Sequence, residues 1–553
     1  MPTAPAEPLL PRPLSGEVRA GELAPEEQAR LVRALAASLA HDGSEPVRHI
    51  ETHISHVLLH GGHAFKIKKA IATSFLDQST LARRRRACAE ELRLNRRLAP
   101  DLYLDAVEIT GTLLAPRLGG AGRVLDVAVR MREFDEAGLW DRLAARGALG
   151  AADVDDLAAR LATFHAAAAV APPDGTLGSP ALVRQALQDS LADLQAQAAR
   201  AGWPDTTGLA ELARLRAWEA EAFASAAPAM ARRLASGRVR EGHGDLHLGN
   251  VAREHGRCLV FDGIEFNDAF RWLDVMDEVA FMAMDLHAHG LPALAHRFVN
   301  AYLEACGDYD GLHVLGYYLV HRALVRAKVA QLRVEQAAGA DRAEALAAAQ
   351  RYFGLALRFA APPPCAFVIT HGLSGSGKTT LTQGLVEAAG AVRVRADVER
   401  KRLAGLAPLQ ESRSLPGAGL YTPAMNEATQ ARLLQAAADV VEGGWPVVVD
   451  ATFIRHGSRE EARQCALRLK VPFLIVRFTA EFELLRARVR ARSARGTDAS
   501  EADGAVLAAQ WQALEPLQAD ELEVTFEARA QAGTAGDGPQ VDWAPLLARM
   551  TAL

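Results

Sequence analysis

Gly372-Leu-Ser374-Gly375-Ser376-Gly377-Lys378-Thr379-Thr380 reads G-x-x-x-x-G-K-[ST], directly behind the apolar run Ala366 to Thr370 and ahead of a helix-like segment. Glycines in such a loop let the backbone curl so that its N–H groups point inward. The lysine brings a mobile positive charge, and the hydroxyl after it can reach Mg²⁺. A helix beginning at the end of the loop adds its positive dipole end to the same anion. The expectation is a nucleotide held by its phosphates.

A second block lies far upstream: His243-Gly-Asp245-Leu-His247-Leu-Gly-Asn250, then Leu259-Val-Phe-Asp262-Gly263. Phosphoryl transfer needs a group to accept the nucleophile's proton and metal-borne charge neutralisation. Asp245 suits the first task. Asn250 and Asp262 stand at the spacing of the Mg²⁺-binding residues of a kinase catalytic loop. A zinc site on His243 and His247 is the competing reading, weakened by the glycines around them and by the lack of a third soft ligand nearby.

The run Phe65-Lys66-Ile67-Lys68 puts two lysines on one strand face, because side chains alternate along a strand. By register with the kinase V-A-I-K strand, Lys68 is the first candidate to hold the α/β-phosphates and Lys66 the reserve. In the helix expected through Arg86 to Ala99, Glu91 falls inside an apolar arc, where a carboxylate is costly without a partner. It is therefore expected to meet a lysine; the alternative is that it neutralises neighbouring arginines. Asp268, Asp274, Asp277, Glu278 and Asp285 could attract a cationic acceptor or serve singly as helix caps and surface charges.

Together these residues resemble the aminoglycoside phosphotransferase (choline kinase-like) family, whose motif is H-G-D-x-x-x-x-N. The resemblance covers about Glu51 to Phe359 and implies a two-lobed α+β protein-kinase-like fold with ATP and Mg²⁺ in the cleft. No G-x-G-x-x-G precedes the lysine strand, so Glu51-Thr-His-Ile-Ser55 is the loop expected to cover phosphate.

Past the P-loop, Asp397 and Arg400 form D-x-x-R at the end of one strand-like run, and Asp450-Ala-Thr452 ends another. Asp397 could orient or deprotonate an acceptor hydroxyl, Arg400 could hold an anionic group, and Asp450 could act on Mg²⁺ through water. Helix N-caps are the alternative for both acids. Arg488 and Arg492, four apart, could close over ATP phosphates as a lid or belong to a solvated helix. This part resembles the small P-loop kinases related to polynucleotide kinase, gluconate kinase and zeta-toxin. The whole chain resembles the bacterial bifunctional aminoglycoside phosphotransferase/ATP-binding proteins.

Positioning these groups requires two bodies. The 553 residues exceed what one core usually serves. The expected plan is a tail (1–20), a front domain (21–360), a linker at Ala361-Pro-Pro-Pro364 (361–365) and a rear α/β P-loop NTPase domain with a parallel sheet (366–553). Expected elements include a hairpin turning at Gly61-Gly62, a second turning at Thr110-Gly-Thr, and long helical stretches over 141–234 and 272–358. The run Arg83 to Arg86 reads as a solvated face or partner patch.

The net charge of −5, from 67 acidic and 62 basic residues, argues against bulk nucleic-acid binding. No apolar stretch approaches the roughly 18 residues that span a bilayer, and the Pro-rich start lacks a signal-peptide layout, so a cytoplasmic protein is expected. Five scattered cysteines indicate neither disulfides nor zinc knuckles. The resulting expectation is an ATP- and Mg²⁺-dependent phosphotransferase whose two kinase-type domains each act on a small hydroxylated acceptor. The alternative is one active kinase domain joined to a regulatory nucleotide-binding P-loop domain.

Overall fold

In the computed structural model, residues 22–42, 46–73, 76–172, 176–201, 206–361, 364–412, 419–495, 498–530 and 540–551 are described. The expected tail, Pro362 and Pro363 fall outside them.

The front part opens with helix Pro25–Asp42 and an antiparallel sheet of β1 (Arg48–Glu51), β2 (Ser55–His60), β3 (His63–Lys68), β4 (Tyr103–Thr112), β5 (Ala115–Leu118) and β6 (Val124–Arg132). The spatial order is β1-β2-β3-β6-β4-β5. Gly61 and Gly62, both at positive φ, make the two-residue turn between β2 and β3 that a twisted hairpin favours. Alternation sends Leu58, Phe65 and Ile67 to one face, where they pack on Leu31 and Leu35 of the first helix.

Two expectations about this lobe need correction. Residues Thr110 to Thr112 continue β4 rather than turning, and the turn falls at Leu113-Leu114 before β5. Gly111, at φ 106°, instead permits a close crossing: a Cβ there would come within 2.5 Å of the Ala115 carbonyl oxygen. The arginine run is not all solvated either. Arg84 is fully buried in helix Leu81–Asn95 and donates to Asp126 Oδ1 at 2.7 Å and to the carbonyl of Gln78. Asp126 sits in the inner strand β6, and it also accepts from Gln28 of the first helix.

The helical lobe follows, interrupted by two short two-stranded sheets. One pairs β7 (Val239–Glu241) with β10 (Trp272–Asp274), and the other joins β8 (Val251–Glu254) to β9 (Arg257–Val260). Helices Ala151–Ala167, Val275–Ala288, Pro292–Cys306 and Leu312–Gln336 build its interior.

The rear part is a five-stranded sheet of β11 (Phe367–His371), β12 (Val392–Arg395), β13 (Val447–Asp450), β14 (Phe473–Arg477) and β15 (Thr525–Glu527). Its order is β12-β13-β11-β14-β15, with every pair parallel. The two innermost strands, Phe-Val-Ile-Thr-His and Val-Val-Val-Asp, are buried along their whole length, as expected for a parallel sheet covered on both faces. The front is protein-kinase-like and the rear is a P-loop NTPase fold.

The two parts share an interior. Phe298, Tyr302 and Leu312 of the front lie in one buried apolar cluster with Val392, Val394, Leu433 and Val440 of the rear. Helix Pro292–Cys306 runs against edge strand β12. Asn300 Oδ1 accepts the Arg393 backbone N–H at 2.7 Å, and Glu304 Oε1 accepts from Arg395 Nη1 at 2.8 Å. Among the described residues no helix is long and apolar enough to cross a membrane.

Candidate active sites

In the front part, Lys66 and Lys68 leave β3 on the face toward helix Leu81–Asn95, and Glu91 waits there fully buried. Lys66 Nζ is 2.8 Å from Glu91 Oε1 and also pairs with Asp262 Oδ1. Lys68 pairs with the other Glu91 oxygen and with Glu265 Oε1. Register ranks Lys68 first, yet Lys68 is the more enclosed of the two. Lys68 has no exposed surface and is closed between two acids, whereas Lys66 reaches Asp262, whose side chain is 47% exposed at the cleft.

Burial works against charge on Lys66, yet Asp262 and Glu91 outweigh it and raise its pKa well above the usual lysine range. Burial likewise opposes Glu91, but Lys66 and Lys68 together bring it down to about 2. Glu265 carries no sequence signal: a lone acid in Gly-Ile-Glu-Phe has no periodic context, and its partner Lys68 lies on a strand far away in sequence.

These placements separate two substitutions. Lys68→Met strands Glu265 and half of Glu91 in the interior, so it should destabilise the chain by about 3–5 kcal/mol. Lys66→Met leaves Glu91 paired and mainly frees a half-exposed carboxylate. It should lower melting temperature little while weakening nucleotide binding at the front site. Thermal melts and ATP titration of both variants check this.

The loop from His243 to Asn250 is stitched to the Asp262 segment by backbone groups. Phe261 N–H donates to the Asn250 carbonyl at 3.1 Å, and Ile264 N–H donates to the His243 carbonyl at 2.9 Å. His243 Nδ1 accepts from Asp245 N–H at 3.3 Å, so its Nε2 carries the proton given to the Phe261 carbonyl at 2.8 Å. His247 Nδ1 accepts from Gly249 N–H at 3.1 Å. Both rings are thus used to shape the loop, and the zinc alternative lapses.

Asn250 Nδ2 donates to Asp245 Oδ2 at 3.2 Å and to its carbonyl at 2.9 Å, and His247 Nε2 lies 3.4 Å from Asp245 Oδ2. Loss of hydration opposes ionisation of Asp245, but the His247 Nε2 proton and the charge of Arg326 prevail and hold it well below the usual carboxylate range. It is an ionised acceptor with room beside it, its side chain 39% exposed. Asp262 adopts φ 63°, a left-handed conformation uncommon for a non-glycine residue. Its N–H donates to the Tyr103 hydroxyl at 3.0 Å, and the next N–H, of Gly263, donates to Asn95 Oδ1 at 2.7 Å. Strain supported in this way is characteristic of functional sites.

Among the described residues these downstream acids are engaged separately, and Glu278 and Asp285 brace the loop. Glu278 Oε1 accepts the N–H groups of His243 and Gly244, and its other oxygen takes His165 Nε2 at 2.7 Å. Asp285 Oδ2 accepts Leu248 N–H at 3.0 Å, Asp277 forms a two-pronged pair with Arg322, and Asp274 N-caps helix Val275–Ala288. Asp268 remains on the surface. Burial would raise the Glu278 carboxyl, but His165 and the loop donors lower it from 4.5 to about 2.

A depressed carboxylate contributes stability that is complete above its unfolded pKa and fades as pH falls toward the folded value. Glu278→Gln should therefore flatten the fall in melting temperature between about pH 4.5 and about pH 2, a difference that scanning both proteins across that range would show.

In the rear part the P-loop leaves β11 and enters helix Lys378–Ala389. Gly375 and Gly377 take φ of 83° and 93°, and a Cβ on Gly375 would come within 2.9 Å of the Leu485 carbonyl oxygen. Lys378 Nζ is folded onto the loop, donating to the carbonyls of Gly372 and Leu373 at 2.9 Å each. Burial lowers its pKa, partly offset by Asp450 and Asp397. Ser376 Oγ is buried in the loop with no hydrogen-bond partner among the described residues. A hydroxyl kept in that state fits a loop shaped to receive an anion. Ser374 N–H donates to Gln510 Oε1 at 2.9 Å, a contact from a distant helix that no motif marks.

Thr379 Oγ1 donates to Asp450 Oδ2 at 2.6 Å. That pair can hold a hydrated Mg²⁺ between the P-loop and the end of β13. Thr380, Asp397, Arg400, Arg488 and Arg492 line the same cleft of about 1990 Å³ as the loop, at the carboxyl ends of the strands. The N-cap alternative fails for both acids: Arg395 caps helix Ala396–Leu403, and Asp450 ends a strand. Arg400 is fixed by the Leu420 carbonyl at 2.9 Å and by Asn426. Arg488 reaches the Gly375 carbonyl at 3.4 Å, whereas Arg492 is turned to the Ala502 carbonyl at 3.2 Å.

Residues 367–517 match the AAA domain family. An uncharacterized protein of Mycobacterium tuberculosis is 30% identical over 464 residues, covering 83% of this chain and 89% of the relative, and one of Mycobacterium bovis matches to the same extent. The chain belongs to the family of these mycobacterial proteins. The 464 aligned residues exceed the length of either part, so the match extends into both.

Among solved structures, a choline/ethanolamine kinase family protein from Mesorhizobium loti shares 13% identity, with 61% of this chain and 99% of that chain covered and a TM-score of 0.36. A gluconokinase from Sinorhizobium meliloti shares 19%, with 34% and 90% covered and a TM-score of 0.23. Likenesses this remote carry no argument about acceptors. The P-loop and the buried Lys66–Glu91 pair are parts that kinase folds use to hold a nucleotide.

Proposed function

We propose that each part transfers the γ-phosphoryl group of ATP to a hydroxyl of a small molecule. At the front, Lys66, oriented by Glu91, holds nucleotide phosphate, Asn250 and Asp262 hold Mg²⁺, and Asp245 accepts the proton of the incoming hydroxyl. At the rear, the loop from Ser374 to Thr380, through amides such as those of Gly375 and Gly377, and Lys378 cradle the phosphates, and Thr379 with Asp450 holds Mg²⁺. Asp397 accepts the acceptor's proton beside Arg400, and Arg488 and Arg492 cover the phosphates. Bound Mg²⁺ supplies charge neutralisation on the transferring group.

The observation that carries this reading is the ionised, half-exposed Asp245 held against Asn250, next to a segment that presents Asp262 to Lys66. Incubating the full chain with labelled ATP and a metabolite extract, followed by mass spectrometry of newly phosphorylated species, tests it. Products should appear in two sets, one missing with Asp245→Asn and the other with Lys378→Met. If neither substitution removed any product or lowered ATP turnover, the reading would fail.

One observation favours a second reading, in which the rear part acts as a nucleotide-sensing regulator. Glu304 of the front holds Arg395, two residues before Asp397. In that case every product would depend on Asp245 alone.

A further inference from the structure

Strands β1 and β2 carry a group of side chains that no step above uses. His49 and Glu51 lie two apart on β1 and so share a face, and Glu51 stands directly across from His56 of β2. The lysines of β3 occupy the opposite face, since Ile67 is the partner of His56. His49 Nε2 and His56 Nδ1 are 3.2 Å apart, and one ligand atom from each of the three residues lies within 4.8 Å of the others. Zinc–nitrogen bonds of about 2.0–2.1 Å in a tetrahedron place two nitrogens about 3.4 Å apart. The imidazole pair is already at that spacing.

Further features of the hairpin agree. His56 is buried between the strands, which fixes its ring beside the two exposed ligands. Glu51 Oε1 accepts a hydrogen bond from Lys69 Nζ at 2.7 Å. His49 and Glu51 are exposed, which leaves an entry path and room for water as a fourth ligand. Imidazole nitrogens suit zinc, copper or nickel and not magnesium or calcium.

We propose that His49, Glu51 and His56 form a binding site for a borderline transition-metal dication, with zinc as its reference ion. The ion would clamp β1 to β2 immediately beside the turn Thr52–Ser55. That turn is already closed on itself by Thr52 Oγ1, which accepts Ser55 N–H at 3.0 Å. Binding does not depend on the phosphotransferase reading; only its effect on a phosphate-covering turn would.

The test uses the full chain after chelator treatment. Zinc titration by calorimetry should show an equivalent that His49→Ala removes and that Glu51→Gln weakens by about tenfold or more. Lys69→Ala should tighten it by freeing Glu51. Cobalt should give the absorption bands of a low-coordinate nitrogen–oxygen site in the wild type and not in His49→Ala. Both substituted ligands are exposed, so the test does not depend on replacing the buried His56.

A second cluster, His313 with Asp439 and Glu442, offers one imidazole and serves as the control. Zinc binding that vanished with His313→Ala but survived His49→Ala/Glu51→Gln unchanged would overturn the proposal. So would wild-type protein that bound no equivalent of zinc, or whose zinc was displaced by millimolar Mg²⁺.

Discussion

Asp245→Asn is expected to lower phosphoryl transfer at the front site by about 10²–10⁴-fold, the usual scale of a lost general base. The change keeps the shape of the side chain and the Asn250 contact but removes a charge that the folded loop favours, so a modest fall in melting temperature should accompany it. What disappears is an ionised oxygen that the His247 Nε2 proton and the Arg326 charge keep charged against the loss of hydration. Acceptor affinity should be largely preserved and the loss should fall on kcat. Mass spectrometry of products with the full chain would show one set missing while the rear set continues at its normal rate. A variant with both sets intact would remove Asp245 from catalysis.

Lys378→Met should cost the rear site about 10²–10³-fold, the scale of removing one preorganised charge from a transition state. It also leaves the carbonyls of Gly372 and Leu373 without the donor they now share. Each such loss costs about 1–3 kcal/mol when the group is buried, so some melting-temperature loss will accompany the activity loss. Survival of front-site products in the same preparation is the internal check on folding. Thr379→Val is the gentler companion. It removes the 2.6 Å bond to Asp450 with little change in volume, and its loss should depend on Mg²⁺ concentration where that of Lys378→Met does not.

The local signals that sequence carries well are those in which one short segment supplies a whole device. The P-loop is such a device, since its glycines, lysine and threonine act on one another within nine residues. The loop from His243 to Asn250 is another. Strand alternation also predicted that Lys66 and Lys68 share a face, and the arc of the helix around Arg86 to Ala99 turned Glu91 toward the interior. Alternation gives a face but not a depth, and depth decides which lysine meets the cleft. That ranking required Glu265 and Asp262, nearly 200 residues away in sequence.

The bracing of the front loop was hidden for a similar reason. Glu278 looks like any acid in the first turn of a helix until His165, more than 100 residues upstream, is folded against it. Strand β6 escaped notice because Asp126 interrupts its apolar run. Its partners Arg84 and Gln28 belong to two different helices.

Strand β12 forms the rim of the rear sheet, and the Asn300 carboxamide from the other half of the polypeptide answers one of its amide protons. Open rims of this kind recruit foreign strands. Severing the polypeptide at its triple proline would leave that donor dangling and expose an oily scar on each fragment, where Phe298 and Tyr302 now meet Val392 and Val394. The two parts are then expected to keep their fold only while they stay joined, each covering apolar surface that the other needs hidden.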